Sequence, residues 1–300
     1  MYKLSICIPT YSNLSYVSRV LESLKKQTVK DFEVVITDDS SNDSVEKTVN
    51  TFSENLLIKY YKNETPLGPP ANWNRAMSLA KGEYLWLLHY DDWLSDPTAV
   101  EQILDSVKLW NMPDLIVLKS TNISEKDQST RANILSKSDI ERYKKNPEKI
   151  FPNNYLGPPS VMVLRKKIWK PFQDKYKYVV DLDWYINLFL NCESVKLVEN
   201  SLVNVNCEAL EQLTSAFSGN RKVELFEWSS LFTTLYKKFR FKFPQKLFII
   251  KLFIRLKTYS IRDLYSVGLN TEEVKVLKNY TLIALIITKC LSFVGWRRKN

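Results

Sequence analysis

Glycine and histidine are both scarce in this sequence, and their scarcity excludes several kinds of active site. The six glycines are well separated, so neither GxGxxG nor GxxxxGK[ST] can be built from them. The common dinucleotide-binding loop and the P-loop are therefore excluded. His89 is the single histidine, which rules out histidine-rich metal sites and Ser–His–Asp triads everywhere except around that position.

Cysteine is also sparse, and the spacing of the cysteines indicates the redox state of the protein's cellular compartment. The four cysteines lie far apart and form no CxxC pair. This distribution is typical of a reducing compartment, and it disfavours a disulfide framework or a cysteine-rich zinc site. The first residues run straight into a strand-like segment without the long apolar stretch of a signal peptide. We therefore expect a cytoplasmic protein.

Acidic residues are outnumbered by basic ones, and this imbalance favours acidic partners. With 43 Lys and Arg against 33 Asp and Glu, the formal net charge is +10. Nucleotide phosphates, nucleic acid and anionic lipid are all partners for such a protein. The basic residues concentrate in the carboxyl-terminal third beside apolar residues, a pattern that argues against nucleic acid.

Short apolar runs alternate with helical patterns over the first two-thirds of the chain. The strand-like runs are residues 4–9, 32–37, 57–61, 84–88, 115–119, 161–164 and 195–205. Such alternation predicts an α/β fold with a mainly parallel sheet flanked by helices. Residues 123–149 are polar and poorly periodic, and we interpret them as a connecting or lid-like excursion. We expect one domain over residues 1–215 and a helical region over residues 216–300.

Carboxylates follow the strand-like runs or open a helix at three places: Asp38 and Asp39, Asp91 and Asp92, and Asp181 and Asp183. The carboxyl ends of strands are where open α/β sheets bind ligands. Adjacent carboxylates repel each other, and a divalent cation relieves that repulsion. Each pair taken alone could equally cap a helix. A cation bound between these carboxylates and an anionic ligand would explain why a basic protein has three acidic groups at its predicted binding edge.

Three segments resemble, in order and spacing, the inverting family 2 glycosyltransferases of GT-A fold. They are residues 5–13 (SICIPTYSN), 34–41 (VVITDDSS) and 72–92 (NWNRAMSLAKGEYLWLLHYDD). The resemblance covers roughly the first two-thirds of the chain. It implies a GT-A fold, a nucleotide-sugar donor, Mn²⁺ or Mg²⁺, and an aspartate that acts as the base.

The resemblance also implies which residues bind the nucleotide. The nucleoside pocket would be lined by Pro9, Thr10 and Tyr11. Asp38 or Asp39 would accept the imide N–H of uracil or thymine, which implies a UDP- or dTDP-sugar.

Two residues of the next helix would lie beneath the diphosphate and the sugar. These are Asn72 and Arg75, and an arginine suits phosphate oxygens because its donors form a fork. A solvent-exposed helix face accounts for Arg75 equally well.

The DxD metal motif of this family reads His89-Tyr90-Asp91 here, so histidine replaces the first aspartate. Asp91 keeps the position whose carboxylate reaches the metal, and Asp92 would neighbour it and touch donor hydroxyls. His89 would bind the metal, donate to a phosphate or only pack. Relatives often carry a later His-x-x-Gln-like segment, but residues 206–214 lack histidine, and the third metal ligand stays unassigned.

Asp181 occupies the position of the family's base, which takes the proton of the acceptor hydroxyl during inverting transfer. Asp183 is the alternative base. The structural alternative for both is a carboxylate near a helix N-terminus, where the helix dipole favours negative charge.

The carboxyl-terminal third interleaves basic and bulky apolar residues. Residues 236–259 are predicted to form a basic amphipathic helix, which suits an anionic membrane surface or docking within the fold. Residues 280–296 are apolar but short for a bilayer crossing, so we read them as interfacial or core, with an interfacial tail at 296–299. We expect a peripheral protein on the inner face of the cell membrane that glycosylates a lipid-linked saccharide in surface polysaccharide synthesis.

Two other functional classes fit part of the pattern. A nucleotidyltransferase also combines an α/β nucleotide-binding fold with acidic metal ligands, but it usually needs a glycine-rich loop where residues 9–13 have no glycine. A non-enzymatic protein that binds nucleic acid or an anionic surface would explain the charge alone. A non-catalytic transferase domain is a further alternative, because His89 replaces an aspartate.

Overall fold

The strand-like runs form one nine-stranded sheet in the computed structural model, which describes residues 3–207, 217–239 and 241–297, with side chains to residue 291. The strands are β1 (Leu4–Thr10), β2 (Phe32–Asp38), β3 (Ile58–Lys62), β4 (Tyr84–Leu87), β5 (Trp93–Leu94), β6 (Leu115–Ile123), β7 (Thr130–Ala132), β8 (Met162–Arg165) and β9 (Val195–Asn206). Their order is β3-β2-β1-β4-β8-β6-β9-β5, and β7 pairs with β6.

The sheet has a parallel half and a mixed half. Strands β3, β2, β1 and β4 pair in parallel, as the alternation of strands and helices predicts. Strand β8 is antiparallel to both β4 and β6, and β9 is parallel to β6 but antiparallel to β5. The parallel half brings the carboxyl ends of β1, β2 and β4 to one edge of the sheet, where the predicted acidic residues follow.

The helices of this part of the chain are α1 (Leu14–Lys25), α2 (Ser44–Asn50), α3 (Pro69–Leu79), α4 (Ala99–Leu109), α5 (Lys137–Lys145) and α6 (Val180–Asn191). Apolar residues at helical spacing explain the burial of α1, whose inner face is Val17, Val20, Leu21 and Leu24. Asn13 caps this helix by accepting the Tyr16 N–H.

Proline starts α3, and a glycine lies just beyond its end. The helix begins at Pro69, because proline is tolerated in a first helical turn, and it ends at Leu79. Gly82 is a point of close approach, where an added Cβ would lie 2.6 Å from Ser5 Oγ.

The lid-like excursion predicted over residues 123–149 is also wrong, since it holds β7 and α5. Ser136 and Asp139 form a capping box that starts α5. Ile140 and Tyr143 are its buried residues. Two apolar positions among many charged ones are too few for sequence periodicity to reveal this helix.

The chain divides into two compact units. The first contains the sheet and comprises Met1–Ile150, Asn154–Asp174 and Asp183–Leu210. The second comprises Phe151–Asn153, Lys175–Leu182 and Glu211–Asn300, so it takes in two earlier segments besides the carboxyl-terminal region. Its helices are α7 (Arg221–Lys238), α8 (Phe243–Arg255), α9 (Ile261–Ser266) and α10 (Thr271–Arg297).

Aromatic side chains form the centre of the second unit. Phe151 contacts the rings of Trp228, Phe232, Phe241 and Phe248 at centroid distances of 5.3–6.2 Å. The single basic helix predicted over residues 236–259 is wrong, because α7 ends at Lys238 and α8 begins at Phe243.

The second apolar segment, residues 280–296, lies within α10. Leu282, Ile286 and Leu291 are exposed on this helix. Within the described ranges, no helix combines the length and the apolar character that a bilayer crossing needs. Residues 298 and 299 of the predicted interfacial tail, and residues 208–214 of the segment searched for a third metal ligand, lie outside the described residues.

Candidate active site

Three side chains with metal-binding atoms meet where β4 ends. All four residues of β4 are buried, and the chain turns sharply afterwards, with the Asp92 N–H donating to the His89 carbonyl at 3.1 Å. The turn brings ligand atoms of His89, Asp91 and Asp92 within 4.8 Å of one another. These are the residues that the sequence analysis assigned to the metal and the donor sugar.

His89 is held by its backbone and by its ring. Its N–H donates to Ser160 Oγ at 3.0 Å, and its ring centroid lies 4.7 Å from that of Trp73 on α3. The Nε2 atom is buried without a hydrogen-bond partner. Burial lowers the pKa of His89 to about 4, so the imidazole is neutral at pH 7, which is the form that binds metal.

Asp92 is buried and crowded by negative charge. Burial and the neighbouring Asp91 carboxylate raise its pKa well above the ordinary value. The Ser160 side chain and the Asn206 backbone N–H donate hydrogen bonds to Asp92 and counteract part of that increase. A divalent cation would remove the repulsion, and one imidazole with two carboxylates suits Mn²⁺ or Mg²⁺. The residues present therefore fit the metal that the family resemblance implies.

Arg19 on α1 supports the same turn, and the sequence analysis missed it. Its Nη2 donates to the Asp91 carbonyl at 3.2 Å. Its guanidinium lies 3.8 Å from the ring centroid of Trp93 and forms an ion pair with Glu125. A lone arginine on the outer face of an amphipathic helix gives no sequence signal for this role.

At the ends of β1 and β2, Asp38 is completely buried and accepts four hydrogen bonds from the protein. Its Oδ1 accepts the Thr10 hydroxyl at 3.2 Å and the Ser40 N–H at 2.9 Å. Its Oδ2 accepts the Tyr60 hydroxyl at 2.7 Å. These bonds give Asp38 a structural role in joining β1, β2 and β3.

Asp39 ties the loop before α3 to the end of β2. Its Oδ1 accepts the Leu67 N–H at 3.0 Å, and its Oδ2 accepts the Gly68 N–H at 2.9 Å. Gly68 has a φ of +80°, a left-handed conformation that glycine adopts without strain. Asn63 donates a further bond to Oδ1. With one donor from the protein on Oδ2, that oxygen keeps capacity for a ligand N–H.

Asn72 on α3 uses its side chain inside the protein. It donates to the carbonyls of Thr10 and Thr37 at 3.4 and 3.3 Å, and it accepts from Asn63 at 2.9 Å. The direct contact with donor that the resemblance implies for Asn72 stays a prediction. The bonds observed anchor α3 to the strand ends.

The remaining donor-side residues differ in exposure. Pro9 and Thr10 are buried in β1, whereas half of Tyr11 is exposed. Arg75 on α3 has a buried Nε without a hydrogen-bond partner. An arginine donor in that state is available to an anionic ligand.

Asp181 and Asp183 both lie in the first turn of α6. Asp181 Oδ1 is buried without a hydrogen-bond partner, and burial raises the pKa of Asp181 to about 7. Asp183 is 6% exposed, and its backbone carbonyl accepts the Asn187 amide at 2.8 Å. A carboxylate whose pKa lies near the working pH is suited to proton transfer.

Comparisons with known proteins also identify glycosyltransferases as relatives of this chain. A family model described as glycosyl transferase family 2 matches residues 5–171. The abequosyltransferase of Salmonella typhimurium is 37% identical over 109 residues, which are 34% of this chain and 33% of that protein. A Campylobacter jejuni enzyme, GalNAc(5)-diNAcBac-PP-undecaprenol β-1,3-glucosyltransferase, is 33% identical over 94 residues, which are 31% of this chain and 30% of that enzyme.

Among solved structures, Staphylococcus aureus TarS in complex with UDP-GlcNAc matches with a TM-score of 0.63 and 18% identity. The match covers 90% of this chain and 77% of that one. The similarity therefore extends beyond the strands into the helical region, and it concerns the fold. The chain spans about a third of the length of the two curated relatives.

Proposed function

The chain belongs to glycosyl transferase family 2, and from this premise we propose that it moves a sugar from a nucleotide-sugar donor to a saccharide acceptor with inversion at the anomeric carbon. The observation that carries the proposal is the grouping of His89, Asp91 and Asp92 at the end of β4. The negative charge of Asp91 raises the pKa of the buried Asp92 carboxyl group, and a divalent cation bound between the two would relieve their repulsion.

Asp91, Asp92 and His89 would hold Mn²⁺ or Mg²⁺. When bound, the ion would neutralise negative charge on the departing diphosphate. The protein's own part is to orient these ligands, through Ser160 on the His89 N–H and through Arg19 on the Asp91 carbonyl.

The donor is proposed to be a UDP- or dTDP-sugar. Asp39 Oδ2 has capacity for the imide N–H of the nucleotide base. Tyr11, which is half exposed, comes directly after the end of β1 in the chain. Arg75 would donate its unpartnered Nε–H to phosphate or sugar oxygens. TarS, which binds UDP-GlcNAc, supports this choice through the shared fold.

Asp181 is proposed to act as the base, with Asp183 as the alternative. The acceptor oxygen forms a bond to the anomeric carbon, and its proton passes to the Asp181 carboxylate. The bond from the anomeric carbon to the diphosphate oxygen breaks, and the nucleoside diphosphate leaves. The support for Asp181 is its buried, unpartnered Oδ1 and its pKa of about 7.

A lipid-linked saccharide at the cytoplasmic membrane face is proposed as the acceptor, with surface polysaccharide synthesis as the process. The C. jejuni relative is named for an undecaprenol-linked substrate. In this chain, Leu282, Ile283 and Ile286 lie on one side of α10 and form an exposed apolar strip, with Lys289 also exposed. Such a strip suits the interface of an anionic membrane.

The decisive screen incubates the full chain with UDP-, dTDP- and GDP-sugars and Mn²⁺ or Mg²⁺, and it measures release of nucleoside diphosphate. We expect metal-dependent release from a UDP- or dTDP-sugar, accelerated by a matching acceptor. Formation of pyrophosphate from a nucleoside triphosphate and a sugar phosphate would identify a nucleotidyltransferase instead. No release from any sugar nucleotide, with binding to nucleic acid, would contradict the proposal.

A further inference from the structure

Glu227 is a buried carboxylate that contacts the chain immediately before Asp181. It lies on α7 and is 3% exposed. Its Oε1 accepts the Lys177 N–H at 2.9 Å, and its Oε2 accepts the N–H groups of Tyr178 and Val179 at 2.7 and 3.1 Å. Three consecutive backbone donors therefore converge on one side chain, and α6 begins at the next residue.

These bonds are of the strong, charge-assisted kind. A carboxylate that accepts backbone N–H groups forms bonds roughly twice as strong as neutral ones. An ionised carboxylate can accept at both oxygens, whereas an amide in its place has one acceptor oxygen and two donor hydrogens. Replacing Glu227 by glutamine would therefore leave part of this cluster of N–H groups buried without an acceptor.

Two other residues of α7 make further contacts with this segment. Ser230 Oγ accepts from Lys175 Nζ at 3.3 Å and from the Tyr176 hydroxyl at 3.4 Å. The ring of Tyr178 lies 6.3 Å from that of Trp228. Residues 175–179 are thus attached to α7 at several consecutive positions.

Glu227 also has a close counterpart that lacks these contacts. Glu224 lies one turn earlier on α7 and is 2% exposed. It accepts the Gly219 N–H at 2.8 Å and pairs with Arg255. The two glutamates share a helix, a depth of burial and a fully bonded carboxylate, and they differ in whether they hold the segment before Asp181.

We propose that Glu227 is a positioning residue for the base, holding residues 177–179 so that α6 starts in one place and presents Asp181 in a fixed orientation. This inference rests on the proposed function. The segment with Asp181 and the helix with Glu227 belong to the same compact unit, so the proposed hold acts within that unit. Truncation at residue 216 would remove Glu227 and its hold on that segment.

The test compares Glu227→Gln with the matched control Glu224→Gln in the full chain. Hydrogen–deuterium exchange of peptides covering Lys175–Leu182 should be about tenfold faster or more in Glu227→Gln and unchanged in Glu224→Gln. UDP release from UDP-sugars with Mn²⁺ should show kcat about 10- to 100-fold lower in Glu227→Gln, because small misplacements of a catalytic group cost that much. The KM for the donor should be unchanged in both variants.

Equal exchange in the two variants, or equal kcat, would overturn the inference. A merely structural carboxylate would lower stability without making the two variants differ in exchange of this segment or in kcat. Ser230→Ala, a milder change, should accelerate exchange of the same peptides even if Glu227→Gln folds poorly. No effect there would also count against the inference. Asp181→Asn, measured in parallel, distinguishes failure of this inference from failure of the proposed function. Wild-type UDP release in that variant would contradict Asp181 as the base, whatever the exchange data show.

Discussion

The guanidinium of Arg19 donates a hydrogen bond of 3.2 Å to the backbone carbonyl of Asp91. This bond connects the first helix to the turn that carries the candidate metal ligands. Its positive charge also lowers the pKa of Asp92, against the larger opposing effects of burial and the Asp91 charge. One arginine thus contributes both to the geometry and to the charge balance of the site.

Asp91→Asn should weaken Mn²⁺-dependent binding of UDP, because the amide removes one negative charge and one hard ligand. Calorimetry with UDP, with and without Mn²⁺, measures the effect, and we expect a loss of at least tenfold in the presence of metal. Asp105→Asn on the surface of α4 is the control, since this carboxylate forms an exposed pair with Lys108. Equal UDP affinity of Asp91→Asn and wild type in Mn²⁺ would exclude the metal role.

Ser160→Ala should also weaken Mn²⁺-dependent binding of UDP, through its effect on the candidate metal ligands. The Ser160 hydroxyl contacts both the His89 N–H and the Asp92 carboxylate. Loss of a group that orients metal ligands typically costs 10- to 100-fold in metal affinity. Titration of Mn²⁺ in the presence of UDP measures this. Wild-type Mn²⁺ affinity in Ser160→Ala would show that the hydroxyl does not support the site.

The sequence predicts much of the sheet edge because the relevant signals are local. Apolar runs of strand length stop at Asp38 and at His89, and strand order in a parallel sheet then brings those ends together. Ser160 and Arg19 could not be found in this way. Their roles depend on contacts with residues about 70 positions away in the chain, and neither lies in a pattern that differs from an ordinary turn or helix face.

The acidic pair after β2 shows the limit of carrying roles over from motifs. Asp38 and Asp39 are adjacent and chemically identical, yet only contacts distinguish them. Asp38 is completely buried and accepts four protein hydrogen bonds, whereas Asp39 is 5% exposed and accepts three. Sequence alone leaves the choice open, and this difference is the reason why we propose Asp39 for the nucleotide base.

Asp181→Asn should stabilise the folded protein above pH 7. The pKa of Asp181 is raised from an ordinary 3.8 to about 7 by burial, so its neutral form is the one that folding favours. Its contribution to stability is therefore present below about pH 4 and is lost as the pH rises through 7, with a slope of up to about 1.4 kcal/mol per pH unit. The asparagine variant does not undergo this loss.

Urea unfolding of both proteins between pH 4 and pH 8 measures that difference. The free energies of unfolding should diverge in favour of Asp181→Asn as the pH rises. Curves that stay parallel across this range would show that Asp181 is not held in a buried, uncharged form.

Charged substitutions on α10 should abolish the proposed membrane binding. Leu282→Glu with Ile286→Glu places negative charge on the exposed apolar strip, and we expect loss of co-sedimentation with anionic phosphatidylglycerol vesicles at low salt. Ile134→Glu is the control, because Ile134 is 88% exposed in the other unit. Binding of the double variant at the wild-type level, or no binding by the wild type, would contradict the membrane role of this strip.

The proposed mechanism depends most on Asp181 as the base. Asp181→Asn and Asp183→Asn should each be compared with wild type for sugar transfer and for Mn²⁺-dependent donor binding. We predict that Asp181→Asn binds the donor normally and transfers about a hundred- to ten-thousand-fold more slowly, because proton abstraction concerns the acceptor and not the donor. Normal transfer by Asp181→Asn, with the loss appearing in Asp183→Asn instead, would contradict the assignment.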